Sequence, residues 1–284
     1  MKINIRQIFY AEEQRPLLSR AFQPYDNSTF PDNTTWFEYG VIRRSFQEKW
    51  HKKAKYSGIV SWRFEEKTSI SGNAFLSFIR NNPGYDVYFV NPFPSEEMIC
   101  PNVWVQGEIA HPGMIKTVNT IFNKLNRKIN VENIQMSPGQ IAYSNYWVGN
   151  EKFWKKYMDF TSPVANLIAN DPEIKSLAFR DASYRYNAPM IPFLMERLFS
   201  TLLCLDKNIT AKKFEYPPRL LNKKYAETIT LLCRRLEEQE MQYKQSGSYQ
   251  LGYNLRHHPL RVIPLLIGYL LNSRTRVAEQ KKQS

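Results

Sequence analysis

One stretch, Asn82–Gly113, most constrains how this chain of 284 residues can fold. It begins with the turn signal Asn82-Pro83-Gly84, enters the apolar run Tyr85–Val90 and is broken by Pro92 and Pro94. A buried strand that ends in a sharp polar loop is typical of α/β sheets, in which ligands bind at the carboxyl ends of the strands. The stretch therefore predicts a buried strand that leads into a ligand-binding loop.

The residues before this stretch predict a strand–helix–strand unit. Lys2–Tyr10 and Tyr56–Phe64 have the composition of strands, and Asn73–Arg80 has helical spacing and leads into the strand at Tyr85–Val90. Such a unit implies two parallel strands with a right-handed crossover. Turn-forming residues fill Phe22–Asn33, which is predicted to be a long loop. The predicted fold class is α/β, a mostly parallel sheet flanked by helices.

Four further segments have the apolar spacing of amphipathic helices, and one has that of a strand. The predicted strand covers Pro138–Val148. The predicted helices cover Trp36–Trp50, Met114–Leu125, Glu151–Phe160 and Pro192–Leu205. Within Glu151–Phe160 and the strand before it, Trp147, Trp154 and Tyr157 are read as core residues rather than as a platform for sugar stacking.

Positive charge is concentrated near the carboxyl terminus. From Lys207 onward there are 15 Lys or Arg against 6 Asp or Glu, so this segment carries +9 of the net +13. Such asymmetry predicts an anionic partner, either a membrane surface or nucleic acid, with a solvated basic tail as the alternative. We therefore divide the chain into an α/β domain at 1–206 and a basic helical region at 207–284.

Two segments of the basic region carry predictions of their own. Arg219–Gln245 is predicted to form a long charged helix. Arg261–Leu271 is apolar with basic flanks, so a kinked core helix and an interfacial membrane anchor are equally compatible with it.

The cysteines and the hydropathy pattern predict a cytoplasmic location. Cys100, Cys204 and Cys233 are widely spaced and odd in number, which argues against a disulfide framework. The sequence has neither an 18-residue apolar run nor a signal-peptide pattern at its start. With the basic carboxyl-terminal region, this predicts a protein that is peripheral on the inner face of the cell membrane.

The motifs of the commonest nucleotide, zinc and hydrolase scaffolds are missing: G-x-x-x-x-G-K-[S/T], G-x-G-x-x-G, H-E-x-x-H and G-x-S-x-G. What remains is a set of carboxylates, amides and cations near predicted strand ends. A group-transfer enzyme acting on a nucleotide sugar needs such groups, since cations neutralise the diphosphate leaving group and a carboxylate takes a proton from the attacking hydroxyl. The set comprises Arg43, Arg44, Glu66, Lys67, Asp86, Asn91, Glu108, His111, Asn145, Glu196 and Arg197.

Two carboxylates are candidates for the catalytic base. Glu196 lies in the strongly apolar Pro192–Leu205 helix, where a charge needs a partner or a purpose, and a structural ion pair with Arg197 or Arg180 is the alternative. Glu108 is the rival base, and its alternative role is to cap the turn that follows it.

The other candidates are assigned to the two substrates. Arg43, Arg44, Lys67, Asp86 and Asn91 are predicted to bind the donor, although the two arginines could equally form a solvated face. Lys67 could instead belong to a helix start capped by Thr68. His111, Asn145 and Arg197 are predicted to bind the acceptor or the sugar, and a structural role competes for His111.

Several segments, taken in order, resemble a group of bacterial glycosyltransferases of lipopolysaccharide and capsule biosynthesis. They are EEQRPLL, F-x-P-x-D-N, WFEYGVIRR, YSGIVSWRFEEKT, YDVYFVNPF, QGE…HPG, SNYWVGNEKFWKKYMDF and PFLMERLFS, and they span residues 9–205. The resemblance implies a GT-A-like fold, a nucleotide-sugar donor such as UDP-galactose and a growing, lipid-linked surface glycan as acceptor.

The sequence departs from this resemblance at the metal site. Many GT-A enzymes carry an Asp-x-Asp motif after the strand that corresponds to Tyr85–Val90, whereas this chain has Asn91-Pro92-Phe93 there. Mn²⁺ or Mg²⁺ is compatible with the fold class, but no cofactor is assigned, and Arg or Lys is expected to balance the diphosphate charge.

The predicted function is hexosyl transfer. The alternative is a non-enzymatic nucleic-acid-binding protein, although no nucleic-acid-binding signature is present.

Overall fold

A six-stranded sheet flanked by helices forms the centre of the protein, as seen in a computed structural model that describes residues 1–31, 35–182 and 188–225. The predicted α/β class is confirmed. The strands are β1 (Ile3–Phe9), β2 (Gln23–Asp26), β3 (Tyr56–Ser61), β4 (Val87–Phe89), β5 (Trp147–Gly149) and β6 (Ala211–Lys213).

The strand order is β2-β1-β3-β5-β4-β6, and every strand except β5 runs in the same direction. Strands β3 and β4 are parallel, as the strand–helix–strand unit predicts, but β5 lies between them and is antiparallel to both. The carboxyl ends of five strands therefore share one edge of the sheet with the amino end of β5. Ligands of α/β sheets bind at such an edge.

Helices connect the strands along the chain. They are α1 (Phe37–Gln47), α2 (Phe64–Thr68), α3 (Gly72–Asn81), α4 (Glu96–Ile99), α5 (Val103–Ala110), α6 (Met114–Lys124), α7 (Glu151–Asn170), α8 (Pro172–Ala178) and α9 (Ile191–Leu205). The predicted helices at α1, α3, α6 and α9 are confirmed to within a few residues, since each carries a long apolar stripe.

Four predicted segments differ from the structure. The predicted loop Phe22–Asn33 contains β2, whose Pro24 is tolerated because β2 is an edge strand. The predicted strand Pro138–Val148 is a 3₁₀ turn followed by irregular chain, and only its end enters β5. The helix predicted to end at Phe160 continues to Asn170. Glu108, predicted to precede a turn, lies in the last turn of α5.

The core beside β5 consists of aromatic side chains. Trp147 packs against Phe153, Trp154, Tyr157 and Phe199, with ring centroids 4.9–6.1 Å apart. Trp147, Trp154 and Tyr157 are all buried. The prediction that they belong to the core is confirmed. Burial of such large side chains stabilises the fold by roughly 1.5–3 kcal/mol each.

The chain divides into two units. The first comprises residues 1–92 and 102–215 and contains the whole sheet. The second comprises residues 93–101 and 216 onward, and in its described part the hydroxyl of Ser95 donates a hydrogen bond to the carbonyl of Lys224. The predicted domain boundary at residue 206 stays a prediction. Strand β6, at 211–213, lies after this boundary and pairs with β4 in the sheet.

Several predictions for the basic region lie outside the described residues: Cys233, Arg261–Leu271 and the part of Arg219–Gln245 after residue 225. Residues 218–225 are helical. Within 1–31, 35–182 and 188–225, no helix is both long and apolar enough to cross a membrane.

Candidate active site

The carboxyl edge of the sheet collects polar side chains from four separate parts of the sequence. Ser61 ends β3, and Lys67 lies in α2 directly after it. Asn91 follows β4, and Tyr146 precedes β5. Because β5 is antiparallel, its amino end brings Tyr146 to the same edge, where the hydroxyls of Tyr146 and Ser61 lie 2.8 Å apart.

Glu196 interacts with this edge from helix α9. Its side chain is 19% exposed, and burial raises the pKa of its carboxyl from 4.5 to about 7. The positive charges of Arg197 and Lys67 partly oppose this shift, and the carboxylate of Glu38 adds to it. A group that titrates near neutral pH is suited to accept a proton during catalysis.

Lys67 interacts electrostatically with the carboxyl groups of Glu196 and Glu38. Burial by itself would lower the pKa of its ammonium, but the nearby Tyr146, Glu196 and Glu38 raise it above 10.5. The side chain therefore stays positively charged at neutral pH. Burial also raises the pKa of the Glu38 carboxyl, against the attraction of Lys67, and raises the pKa of Tyr146 to about 12.

We call Glu38, Ser61, Lys67, Tyr146 and Glu196 the Glu196 cluster. Sequence reasoning selected Glu196 and Lys67 but missed Glu38, Ser61 and Tyr146. Glu38 is brought in because α1 packs beside α9. The sequence did contain a signal for Glu38, because it is a carboxylate among the apolar residues of α1. Glu196 was selected for the same reason in α9.

Arg197 anchors helix α9 to helix α5. Its Nε donates to the carbonyl of Val103 at 2.9 Å, and its Nη2 donates to Oε1 of Gln106 at 2.6 Å. Its Nη1 lies 3.9 Å from Oε1 of Glu196, so the predicted ion pair between these neighbours is long. Arg197 thus fixes the position of the helix that carries Glu196, and its predicted contact with acceptor stays a prediction.

Two amides at the carboxyl edge are buried. Asn91 and Asn145 are 1% and 4% exposed. The side-chain oxygen of Asn145 has no hydrogen-bond partner among the described residues. Leaving a buried acceptor unpaired costs about 1–3 kcal/mol, which a hydroxyl of a bound ligand would recover. The predicted contact of Asn145 with the sugar or acceptor stays a prediction.

Asp86 lies at the other edge of the sheet. It precedes β4, whereas Asn91 follows β4, so the two residues predicted to bind the donor are at opposite ends of one strand. The carboxylate of Asp86 accepts hydrogen bonds from Thr210, Asn150 and Lys152 at 3.0–3.2 Å. The structure therefore does not bring Asp86 together with the Glu196 cluster.

Glu108 and His111 make local contacts around the start of α6. The carboxylate of Glu108 accepts hydrogen bonds from the backbone of Gly113 and Ile115, at 2.6 and 2.8 Å, and so caps this helix. The ring of His111 stacks on Phe193, with centroids 4.1 Å apart. The sequence left two roles open for Glu108, a catalytic base and a cap, and these hydrogen bonds correspond to the cap.

The two arginines of α1 stack on aromatic rings. The guanidinium of Arg44 lies 3.9 Å from the ring centre of Phe30 and donates a hydrogen bond to Asn27, which follows β2. Arg43 lies 5.5 Å from the ring centre of Trp36. Arg44 thus reaches the carboxyl edge of the sheet.

Thr68 does not begin a helix, as the alternative reading of Lys67 required. It is the last residue of α2, and its hydroxyl donates to the carbonyl of Phe64, so it is not the predicted cap of a helix start.

The described residues do not offer a metal cage. Within them, no three His, Cys, Asp or Glu side chains lie close enough together to hold a metal ion. The Glu196 cluster has two carboxylates, and a lysine interacts with both. These residues do not fit a bound divalent cation.

Comparison with known proteins gave one structural likeness. No protein-family model matches the chain, and no curated protein matches it. A solved apo structure described as WbbM, a bifunctional glycosyltransferase, superposes with a TM-score of 0.47 at 14% sequence identity. The match covers 75% of this chain and 44% of that structure, so the present chain spans less than half of its length.

Proposed function

We propose that this protein is a glycosyltransferase that moves a hexose from a nucleotide-sugar donor to a hydroxyl of a surface-polysaccharide acceptor. The observation that carries the proposal is a largely buried carboxyl on α9, Glu196, which interacts electrostatically with the charged Lys67 at the carboxyl edge of a mostly parallel sheet. Burial raises the pKa of this carboxyl to about 7. A base near neutrality and a fixed cation are the two groups that such a transfer requires.

In this mechanism Glu196 is the general base. Its carboxylate takes the proton of the acceptor hydroxyl while the hydroxyl oxygen bonds to the anomeric carbon of the donor. The bond from that carbon to the diphosphate oxygen breaks, and its electron pair stays on the diphosphate. Direct displacement of this kind inverts the anomeric centre. Retention of configuration would require a different arrangement at the same face.

The leaving diphosphate gains negative charge, which Lys67 offsets. Its ammonium is held charged by Glu196, Glu38 and Tyr146. Arg44 supplies a second cation at the same edge of the sheet, and Arg43 extends from the same helix. Asn91 is proposed to bind the donor sugar. The resemblance to polysaccharide glycosyltransferases favours a UDP donor of the galactose type, and we propose that transfer does not depend on Mn²⁺ or Mg²⁺.

The acceptor is proposed to be a lipid-linked glycan of lipopolysaccharide or capsule biosynthesis. Asn145 is proposed to contact a sugar hydroxyl of the acceptor. Arg197 and His111 complete the acceptor side of the proposal. The excess of Lys and Arg after residue 207 supports binding to the anionic inner face of the cell membrane, where a lipid-linked acceptor would be found.

Binding of nucleotides tests the donor half of the proposal. A ligand that binds only the folded state raises the melting temperature by mass action. In a thermal-shift experiment with UDP, GDP, CMP and dTDP, we expect one nucleotide, UDP on present grounds, to raise it with or without Mn²⁺. The Lys67→Gln variant should lose most of this shift, whereas Lys116→Gln, an exposed change of the same charge on α6, should keep it.

Two results would contradict the donor assignment. If no nucleotide shifts the melting temperature while the protein binds DNA or RNA in a strongly salt-dependent way, the nucleic-acid alternative is favoured. If Lys67→Gln binds the nucleotide as tightly as the wild type, the donor diphosphate lies elsewhere.

A further inference from the structure

A cleft of about 540 Å³ opens at the other end of strand β1, away from the Glu196 cluster. Lys2, Asn4 and Arg6 line it from alternate positions along the start of the chain, so their side chains lie on one face of the sheet. Asn4 pairs with Ser57 at the start of β3, whereas the cluster residue Ser61 ends β3 and pairs with Ile8. The cleft is therefore separate from the candidate active site.

The guanidinium of Arg6 is held between two aromatic rings. It lies 4.4 Å from the ring centre of Trp50 and 4.7 Å from that of Tyr25. Its Nη1 donates to Ser45 at 2.7 Å and lies 3.4 Å from Glu48, whose side chain is 53% exposed. In the described chain Nε and Nη2 have no partner, so one edge of a fixed, planar guanidinium remains available. This edge has the geometry that binds two oxygens of a phosphate or carboxylate.

The side chains of Lys2, Asn4 and Lys53 form no hydrogen bond or ion pair with any residue the structure describes. None of the side chains that line the cleft is acidic. Three cations thus line one cavity, and one of them, Arg6, pairs with the exposed Glu48. Exposed lysines are common on convex surfaces. Here Lys2 and Lys53 line a concave space beside a fixed arginine.

We propose that this cleft is a second anion site, one that binds a phosphate group carried by a soluble ligand or a lipid headgroup. A phosphate monoester carries a charge of about −1.5 to −2 at neutral pH, which matches three converging cations better than a single carboxylate does. Arg6 binds two phosphate oxygens through Nε and Nη2, Lys2 and Lys53 balance the remaining charge, and Asn4 contacts the neighbouring polar atoms. This site is independent of the proposed transferase chemistry.

Calorimetric titration of pyrophosphate into the full-length protein, without an amino-terminal tag and at low ionic strength, tests the proposal. The double variant Lys2→Gln/Lys53→Gln is expected to weaken this binding at least tenfold. The matched control Lys116→Gln/Lys128→Gln removes the same charge from exposed positions and should leave it unchanged. Arg6→Lys keeps the charge but loses the two-pronged geometry, so it should also weaken binding.

Further arms separate this site from the active site and distinguish the two sources of phosphate. Lys67→Gln should retain binding in the cleft even if it loses nucleotide binding. Cosedimentation with vesicles that contain phosphatidic acid, a lipid phosphate monoester, would assign the site to a lipid headgroup if it depends on Lys2 and Lys53. Dependence seen only with pyrophosphate would assign the site to a soluble ligand. No binding of either probe, or an equal loss in the Lys116→Gln/Lys128→Gln control, would overturn the proposal.

Discussion

Replacement of Glu196 by Gln is expected to lower the rate of sugar transfer by about 10²–10⁴-fold, the usual contribution of a general base. The amide keeps the shape of the side chain but cannot take a proton. Release of nucleoside diphosphate from the donor measures this effect without knowledge of the acceptor, because water can replace the acceptor hydroxyl. Glu108→Gln is the matched control. It changes the rival carboxylate, which caps helix α6, and should lower stability while keeping transfer.

Glu196→Gln is also expected to leave the protein equally stable or more stable above pH 7. The pKa of Glu196 is about 7 in the folded chain against 4.5 in the unfolded chain, so the folded state binds the proton more tightly. Its stabilising contribution is complete below pH 4.5 and is lost as the pH rises through about 7. The ionised carboxylate then costs up to about 3 kcal/mol, a cost that the amide removes.

Urea denaturation at several pH values measures this effect. Below pH 4.5 the wild type and Glu196→Gln should have the same free energy of unfolding, and the variant should gain as the pH rises to 8. If Glu196→Gln instead unfolds more easily than the wild type at pH 8, Glu196 is a structural charge whose partners need it, and its role as a base loses support.

Replacement of Asp86 by Ala is expected to destabilise the protein by about 1–3 kcal/mol, the usual cost of leaving buried hydrogen-bond donors without their acceptor. Thr210, Asn150 and Lys152 all donate to this carboxylate, which is only 11% exposed, and they join the start of β6 and the end of β5 to β4. Asp159→Ala is the control, because its pair with Lys155 is exposed and should contribute less than about 1 kcal/mol.

The pH dependence of stability gives a second readout for Asp86. Burial would raise the pKa of its carboxyl, but the hydrogen bonds from Thr210, Asn150 and Lys152 lower it below 3.8. Its stabilising contribution is therefore present above pH 3.8 and is lost as the pH falls through the lower folded value. Nucleotide-induced thermal shifts should survive in Asp86→Ala. Loss of these shifts with little loss of stability would return Asp86 to its predicted place in the donor site.

Long periodic segments were predictable from the sequence, whereas strand pairing was not. Helices α1, α6 and α9 each repeat apolar residues over three or more turns, a local pattern that survives in the fold. The antiparallel insertion of β5 between β3 and β4 depends on contacts between distant segments. Strand β2 has four residues, mostly exposed, and gives little hydrophobic pattern to detect.

The candidate site was partly predictable for a related reason. Glu196 was identifiable because a carboxylate in an apolar helix is costly without a function or a partner. Asp86 and Asn91 flank one short strand, and the geometry of a strand alone places them at opposite edges of the sheet. Glu38 and Tyr146 enter the cluster through the packing of α1 on α9 and the direction of β5, which sequence spacing does not specify.

The central claim is that Glu196 acts as a base with a pKa near 7, and the pH dependence of kcat/KM for nucleotide release from UDP-galactose tests it most directly. Because the ionised carboxylate is the active form, the wild-type rate should rise tenfold per pH unit at low pH and level off above an apparent pKa of about 7. Glu196→Gln should lose this inflection. A wild-type profile that is flat between pH 5 and 9, or an inflection that persists in Glu196→Gln, would contradict the account.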